Sequence, residues 1–285
     1  MSRIGIVGFG AMGSRIAKNL IEAGHEVKGY NRNPQKVESV AGVQLVGSPS
    51  QAADNVECLI VMVRDDAASQ WAWTDPQDGI LQSLAKDTVA IDMSTLSYAW
   101  VAELSQQMQT LGYEFLEAPV VGTRPQADAK QLTVLCAGSE SAFLKAKGTL
   151  DATAGKMLFL GESGRACALK LVINSLFGIQ TLAFAEMTQA LRKVGFDDSL
   201  IAKILPELPV TSPIMKMMLT LMMEGNFTPQ FPIELVAKDF DYSRDFVSSL
   251  GLRPLMSESA RDIFKLAEKE GLGDRNISAA IRLFD

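Results

Sequence analysis

At 285 residues, 47% of them apolar, the chain has enough hydrophobic material for one large core or two smaller ones, which excludes a disordered or fibrous protein. A formal charge of -6 removes the general attraction that nucleic-acid binding needs, so any pull on an anion has to be local. Three cysteines without C-x-x-C spacing and one histidine, His25 in a turn, argue against a disulfide framework, a zinc or other metal site, and a serine or cysteine hydrolase triad.

The chain opens on a short apolar run, Ile4 to Val7, that leads into Gly8-Phe9-Gly10-Ala11-Met12-Gly13. A helix with Ile16, Ala17, Leu20 and Ile21 at apolar spacing follows, and Gly24 stops it. With a second strand at Glu26 to Tyr30, this is the context in which a G-x-G-x-x-G string binds a dinucleotide. Gly8 serves the tight turn, Gly10 lets backbone N–H groups approach a pyrophosphate, and Gly13 lets the helix pack on the strand. The helix N-terminus then faces the phosphates. Where an Asp or Glu would take the ribose 2′-OH of NAD, the sequence has Asn31-Arg32-Asn33. An arginine suits the 2′-phosphate of NADP, and a charge-assisted hydrogen bond of about 1.5 to 3 kcal/mol amounts to roughly a 10- to 150-fold preference. The expected cofactor is NADP(H).

Beyond Arg32, short apolar runs alternate with helical segments, which predicts a mainly parallel sheet covered on both faces. Strands are expected at Val43 to Val46, Glu57 to Val63, Thr88 to Met93, Tyr113 to Val120, Gln131 to Ala137 and Lys156 to Leu160. Ser48-Pro49 has the form of a helix start, Arg64-Asp65-Asp66 opens another helix, and Val121 to Gln126 reads as a loop. Ligands of open α/β sheets sit beyond the carboxyl ends of the strands, so Gly8, Val63-Arg64 and Ser94-Thr95 should converge on one crevice. After Gly161 the strands stop. A long helix, about Arg165 to Val194, is followed by helices at Pro213 to Met223, Ile233 to Leu250 and Pro254 to Glu270. The predicted class is α/β, with an N-terminal Rossmann domain over 1–162, a long interdomain helix and an all-helical domain over 163–285.

The long helix is apolar enough to raise the question of a membrane span, but Lys170, Asn174, Gln180 and Glu186 interrupt it too often for a lipid-facing segment. A helix buried on most sides, between domains or subunits, is expected instead. With no basic leader or apolar run at the N-terminus and thiols in apolar surroundings, a reducing, cytoplasmic location is expected. Lys170 and Asn174 stand four apart and share one face. A lysine on a buried helix is costly, and the same desolvation would make it a proton donor or acceptor near neutral pH. The alternative is that Lys170 snorkels outward and Asn174 bonds backbone.

Taken in order, RIGIVGFGAMGSRIAKNL with Asn31-Arg32, the STL after TVAIDM, the EAPVVG loop, GRACALKLVINS and FPIELVAKDFDYS resemble the β-hydroxyacid dehydrogenases, the family of 3-hydroxyisobutyrate dehydrogenase and the glyoxylate/succinic semialdehyde reductases. The resemblance implies Lys170 as the catalytic acid–base, Asn174 as a substrate-binding partner, Thr95 beside the nicotinamide and Lys238 reaching the cofactor. Further cofactor contacts fall at Phe9, Ala11, Met12, Asn31, Asn33, Val63 and Arg64, and substrate contacts at Ser94, Val121, Gly122, Thr123 and Asp239. It also implies a homo-oligomer, dimer or tetramer, acting on a small molecule that carries a carboxylate.

Two departures from the family pattern concern the substrate. Where many members have D-A-P-V-S-G-G, this chain has Glu117-Ala118-Pro119-Val120-Val121-Gly122-Thr123; the serine is missing at Val121, with Thr123 and Arg124 as candidate replacements. In Gly271-Leu272-Gly273-Asp274-Arg275-Asn276, Asn276 stands at the last acidic position, so a bulkier or less acidic substrate than a small semialdehyde is an option. Imine reductases resemble the same two-domain plan but usually carry Asp or Tyr where Lys170 stands. A non-catalytic dinucleotide-binding scaffold is the third reading, and retention of Lys170 counts against it.

Overall fold

The first apolar run forms β1 (Arg3–Val7), the glycine turn follows, and α1 (Gly13–Glu22) returns the chain to β2 (Glu26–Tyr30). Gly24, at φ +85°, supplies the left-handed step between them. The structure is a computed structural model that describes all residues from Met1 to Asp285, in two units, Met1–Lys170 and Leu171–Asp285.

In the first unit the pattern continues with α2 (Gln35–Glu38), β3 (Val43–Leu45), α3 (Pro49–Ala53), β4 (Cys58–Val61), α4 (Asp66–Thr74), β5 (Val89–Asp92), α5 (Tyr98–Thr110) and β6 (Glu114–Glu117). β3, β2, β1, β4, β5 and β6 lie side by side in that order, all parallel. The order reverses between β1 and β4, which makes the carboxyl end of β1 a topological switch point. Local chemistry sets the helix starts: Ser48 accepts the Gln51 N–H with Pro49 in the first turn, and Asp65 accepts the Ala68 N–H at 2.9 Å. Of the two tryptophans on α4, Trp73 is fully buried, while Trp71 lies at the edge against the Tyr30 ring.

The strand expected over Tyr113 to Val120 is divided. Pro119 has no N–H to continue a ladder, so β6 ends at Glu117 and a separate β7 (Val120–Val121) pairs antiparallel with β8 (Leu132–Gly138). The expected loop Val121 to Gln126 is also corrected, because a short helix, α6 (Arg124–Asp128), starts within it. α7 (Glu140–Leu150) and β9 (Ala154–Phe159), parallel to β8, complete the unit. Ile4, Ile6, Ile60 and Ile91 from the central strands pack with Ile16 and Leu20 of α1 in its core.

α8 (Arg165–Lys193) begins in the first unit and continues through the second, where α9 (Asp198–Ile204), α10 (Pro213–Met223), α11 (Ile233–Ser249) and α12 (Leu255–Ala267) follow. The second unit's core joins Leu182 and Ala185 of α8 to Met215, Met218 and Met222 of α10, Phe240 of α11 and Phe264 of α12. The methionines are therefore core filling. Gly178 decides how closely α8 and α11 approach: a Cβ there would stand 2.4 Å from the Phe240 ring. α8 is long and apolar enough, by composition, to cross a membrane. Its buried polar residues Asn174, Thr181, Thr188 and Gln189, and its share in the second unit's core, fit a protein-packed helix better.

Candidate functional site

The glycine turn sits at the switch point. Gly8 has φ +104°, and a Cβ on it would lie 2.1 Å from the Met62 carbonyl oxygen at the end of β4. A Cβ on Gly13 would lie 2.0 Å from the Gly8 carbonyl oxygen, which fixes how tightly α1 closes on the turn. Around Gly10 a Cβ would meet nothing within 4 Å, so this backbone lines open space. Met12, at the N-cap of α1, contributes no side-chain cap. An open turn at an uncapped helix N-terminus is a cradle for a pyrophosphate.

The Phe9 side chain is buried, in a space left by Gly29 of β2, and its N–H donates to Asn31 Oδ1 at 3.0 Å. The Asn31 Nδ2 donates to the Asn33 carbonyl. Asn31, expected at the cofactor, therefore spends its amide holding the turn to the end of β2. Arg32 and Asn33 are exposed beside it. The neighbouring strand ends are tied in the same way: Asp92 Oδ1 accepts the Ser94 N–H at 2.9 Å, and Ser94 Oγ accepts the Val63 N–H at 2.9 Å. Ser94, expected at the substrate, is buried, and its hydroxyl supports the loop that carries Val63 and Arg64. Thr95 is half-buried next to it.

At the β7–α6 turn, Gly122 has φ +134°. The Thr123 hydroxyl donates to Gln126 Oε1 at 2.7 Å and its N–H donates to the same oxygen at 2.9 Å. The expected stand-in for the missing serine is thus engaged in starting α6, and Val121 remains apolar. α6 in turn rests on α1: buried Asn19 donates to the Ala127 carbonyl at 2.9 Å, and Arg15 pairs with Asp128 at 2.9 Å.

On α8, Lys170 is half-buried and Asn174 is buried. Within the second unit Asn174 Nδ2 donates to Asp239 Oδ2 at 2.6 Å, and Lys238 Nζ pairs with Asp239 Oδ1 at 2.9 Å while standing over the Tyr242 ring. Asp239 thus fixes which way the Asn174 amide faces and holds Lys238. Asn276, at the family's last acidic position, has a structural role. Its Oδ1 accepts the Gln230 and Phe231 N–H groups, and its Nδ2 donates to Ser278, so a carboxylate there would have to give up the donor.

A doubly wound sheet with a glycine turn at its switch point, followed by an all-helical unit, defines a dinucleotide-binding oxidoreductase architecture. The family model for the NAD binding domain of 6-phosphogluconate dehydrogenase matches residues 3–161, and that for the NAD-binding domain of NADP-dependent 3-hydroxyisobutyrate dehydrogenase matches residues 164–284. An uncharacterized oxidoreductase of Bacillus subtilis, YfjR, is 32% identical over 98% of this chain and 99% of its own. Glyoxylate/succinic semialdehyde reductase 2 of Arabidopsis thaliana, a chloroplastic protein, is 29% identical over 98% of this chain and 78% of its own. Among solved structures, the 3-hydroxyisobutyrate dehydrogenase of Mycobacterium tuberculosis with L-serine superposes with a TM-score of 0.89 at 26% identity, over 99% of both chains. An imine reductase of Myxococcus stipitatus with NADP+, at 20% identity and a TM-score of 0.61 over the whole of both chains, shares the fold. The chain belongs to the β-hydroxyacid dehydrogenase family, oxidoreductases that work with a nicotinamide dinucleotide.

Proposed function

We propose that this chain interconverts a β-hydroxy acid and its semialdehyde or keto form with NADP(H), using Lys170 as proton donor and acceptor. The observation that carries the reading is Lys170 and Asn174 on one face of α8, with the Asn174 amide set by Asp239. Bound NADPH supplies a hydride from C4 of its nicotinamide. The residues present fit such a cofactor: the open backbone at Gly10, the uncapped start of α1, and an exposed Arg32 where a 2′-phosphate would lie. Lys170 holds a proton at Nζ and gives it to the substrate carbonyl oxygen as that oxygen becomes an alkoxide. Its positive charge matters most where negative charge develops, so its effect falls on the transition state. Asn174 orients the substrate oxygen.

With Val121 apolar and Thr123 engaged by Gln126, the substrate carboxylate is left to the backbone at Gly122 and to Arg124, which favours a bulkier or less acidic substrate than a small semialdehyde. A homo-oligomer, dimer or tetramer, belongs to the same proposal: Val172, Leu176, Ala183 and Met187 form an exposed apolar stripe along α8. A cytoplasmic location suits the three buried free thiols.

The test is NADPH oxidation against carboxylate-bearing aldehydes and keto acids set beside cyclic imines, with Lys170→Met as the variant. Turnover of the acids should fall by roughly 100-fold or more in the variant, with NADPH affinity nearly unchanged. Unchanged turnover would refute the role of Lys170, and turnover of imines alone would refute the substrate class.

A further inference from the structure

Two carboxylates lie buried next to each other at the carboxyl end of the sheet, and neither is among the residues assigned above to cofactor or substrate. Asp92 and Glu117 are direct partners in the pairing of β5 with β6, 3% and 2% exposed. Glu117 reaches the start of α8: its Oε1 accepts the Gly164 N–H, its Oε2 accepts the Cys167 N–H at 2.9 Å, and the Ala166 N–H is a third donor. N–H groups at the start of a helix have no carbonyl within the helix to bond. A side chain 47 positions upstream of Gly164 therefore does the work of an N-cap.

Asp92 looks the other way. Its Oδ2 accepts from Trp73 Nε1 at 3.0 Å and from the Ser69 hydroxyl at 3.3 Å, while Oδ1 holds Ser94 and, through it, Val63. Both carboxylates line one small cavity of about 10 Å³, walled by Leu96, Val101, Leu104 and Phe115. That is the space of a single water molecule.

We propose that Glu117 is a positioning residue: buried beside Asp92, it clamps the first turn of α8 and so sets Lys170, one turn beyond Cys167. The consequence for Lys170 rests on the function proposed above; the clamp itself does not.

Two carboxylates that are neighbours across one strand pairing and out of bulk water do not both ionise at low cost. Burial and the Asp92 charge push Glu117 up to about 7, against the pull of its N–H donors, and burial raises Asp92 as well. The other groups around Glu117 leave it without a cation. The Cys167 thiol on α8 donates to the Leu96 carbonyl, α5 presents apolar Val101 and Leu104 with the Tyr98 ring beside Gly164, and on β8 its partner is Ala137 next to the buried Cys136 thiol. Arg165, at the start of α8, is exposed and bonds the Leu160 carbonyl and Glu162. Burial, not the N–H bonds, makes Glu117 hold its proton more tightly than it would in water, and opening the first turn lets water reach it. Opening the first turn therefore becomes easier as pH rises through about 7.

Hydrogen exchange of the full-length protein, followed by mass spectrometry on peptides covering residues 161–172 between pH 5 and pH 8.5, tests this without turnover. Corrected for intrinsic exchange chemistry, protection of the first turn should fall by roughly 10-fold or more across that range. Glu117→Gln should abolish the pH dependence, and Asp92→Asn, which removes the neighbouring charge, should make it smaller and end it at lower pH. Peptides from β1 and α11 report whether the variants have kept their fold. A wild-type profile that stays flat overturns the clamp even if neither variant folds, and so do variant profiles identical to wild type. In the kinetic arm, Glu117→Gln leaves one acceptor oxygen for three N–H donors and turns an NH2 group toward one of them, so kcat should fall by roughly 10-fold with the KM for NADPH unchanged. Loosened exchange with unchanged kcat overturns the positioning role, whereas a protein without activity on hydroxy acids sinks the proposed function and leaves the exchange result to decide the clamp.

Discussion

Glu117 also makes the stability of the first unit depend on pH, in a direction opposite to that of most carboxylates. Its ordinary value is 4.5, and in the folded chain it is pushed up to about 7. Between those values the unfolded chain has lost this proton while the folded chain keeps it, so stability falls as pH rises. The contribution is complete below 4.5 and is lost as pH passes through about 7. An interval of about 2.5 at 1.36 kcal/mol for each pH unit gives about 3 kcal/mol. Replacing Glu117 by Gln removes the titrating group, so the difference in unfolding free energy between wild type and variant should change by that amount between pH 4.5 and pH 8. Asp92, raised in the same direction, titrates in both proteins. Urea unfolding followed by tryptophan fluorescence is the assay, since all three tryptophans lie in the first unit and Trp73 bonds Asp92 directly. For a slope of about 2 kcal/mol per molar urea, the separation of midpoints should shift by about 1.5 M. A separation that stays constant across this range would refute the reasoning, because it would mean that Glu117 titrates alike in the folded and unfolded chain.

Three further perturbations follow from the geometry. Arg32→Gln should lower the preference for NADPH over NADH by roughly 10- to 150-fold, the worth of a charged hydrogen bond, and equal loss of both affinities would remove Arg32 from the 2′-phosphate. Asp239→Asn deprives Asn174 of a charged acceptor and Lys238 of its ion pair, so kcat/KM should fall by roughly 10-fold or more; an unchanged value would show that Asn174 needs no such support. Gly178→Ala sets a methyl 2.4 Å from the Phe240 ring, and should destabilise the second unit by about 1 to 3 kcal/mol in thermal or urea unfolding, while an unaffected midpoint would mean that α8 and α11 separate freely.

The local parts of this molecule were legible in its sequence because their causes are local. A glycine turn between an apolar run and a periodic helix, a proline after a serine, and two polar residues four apart on a helix are statements about neighbours. They imply the α/β class, the mainly parallel sheet and a long helix beginning at Arg165, with strand ends within three residues of those observed. Pro119 was as visible as any of these, yet the split strand at Tyr113 to Val120 was missed; the missing N–H matters only once the ladder on each side of it is known.

What tertiary structure decided is what each polar side chain is used for. Ser94, Asn31, Thr123 and Asn276 have the chemistry of ligand-binding residues, and the fold engages their donors and acceptors in holding Val63, Phe9, Gln126 and the segment around Phe231. Asp239 and Asn174 meet across 65 positions, and Glu117 reaches the first turn of α8 across 47 to 50. Nothing beside Glu117 in the sequence marks it as buried; only the neighbouring strand, the incoming helix and the apolar wall around them take it out of water. Burial and long-range pairing belong to the assembled sheet and helices, and it is these that take two ordinary carboxylates out of water and set one of them against the start of a helix.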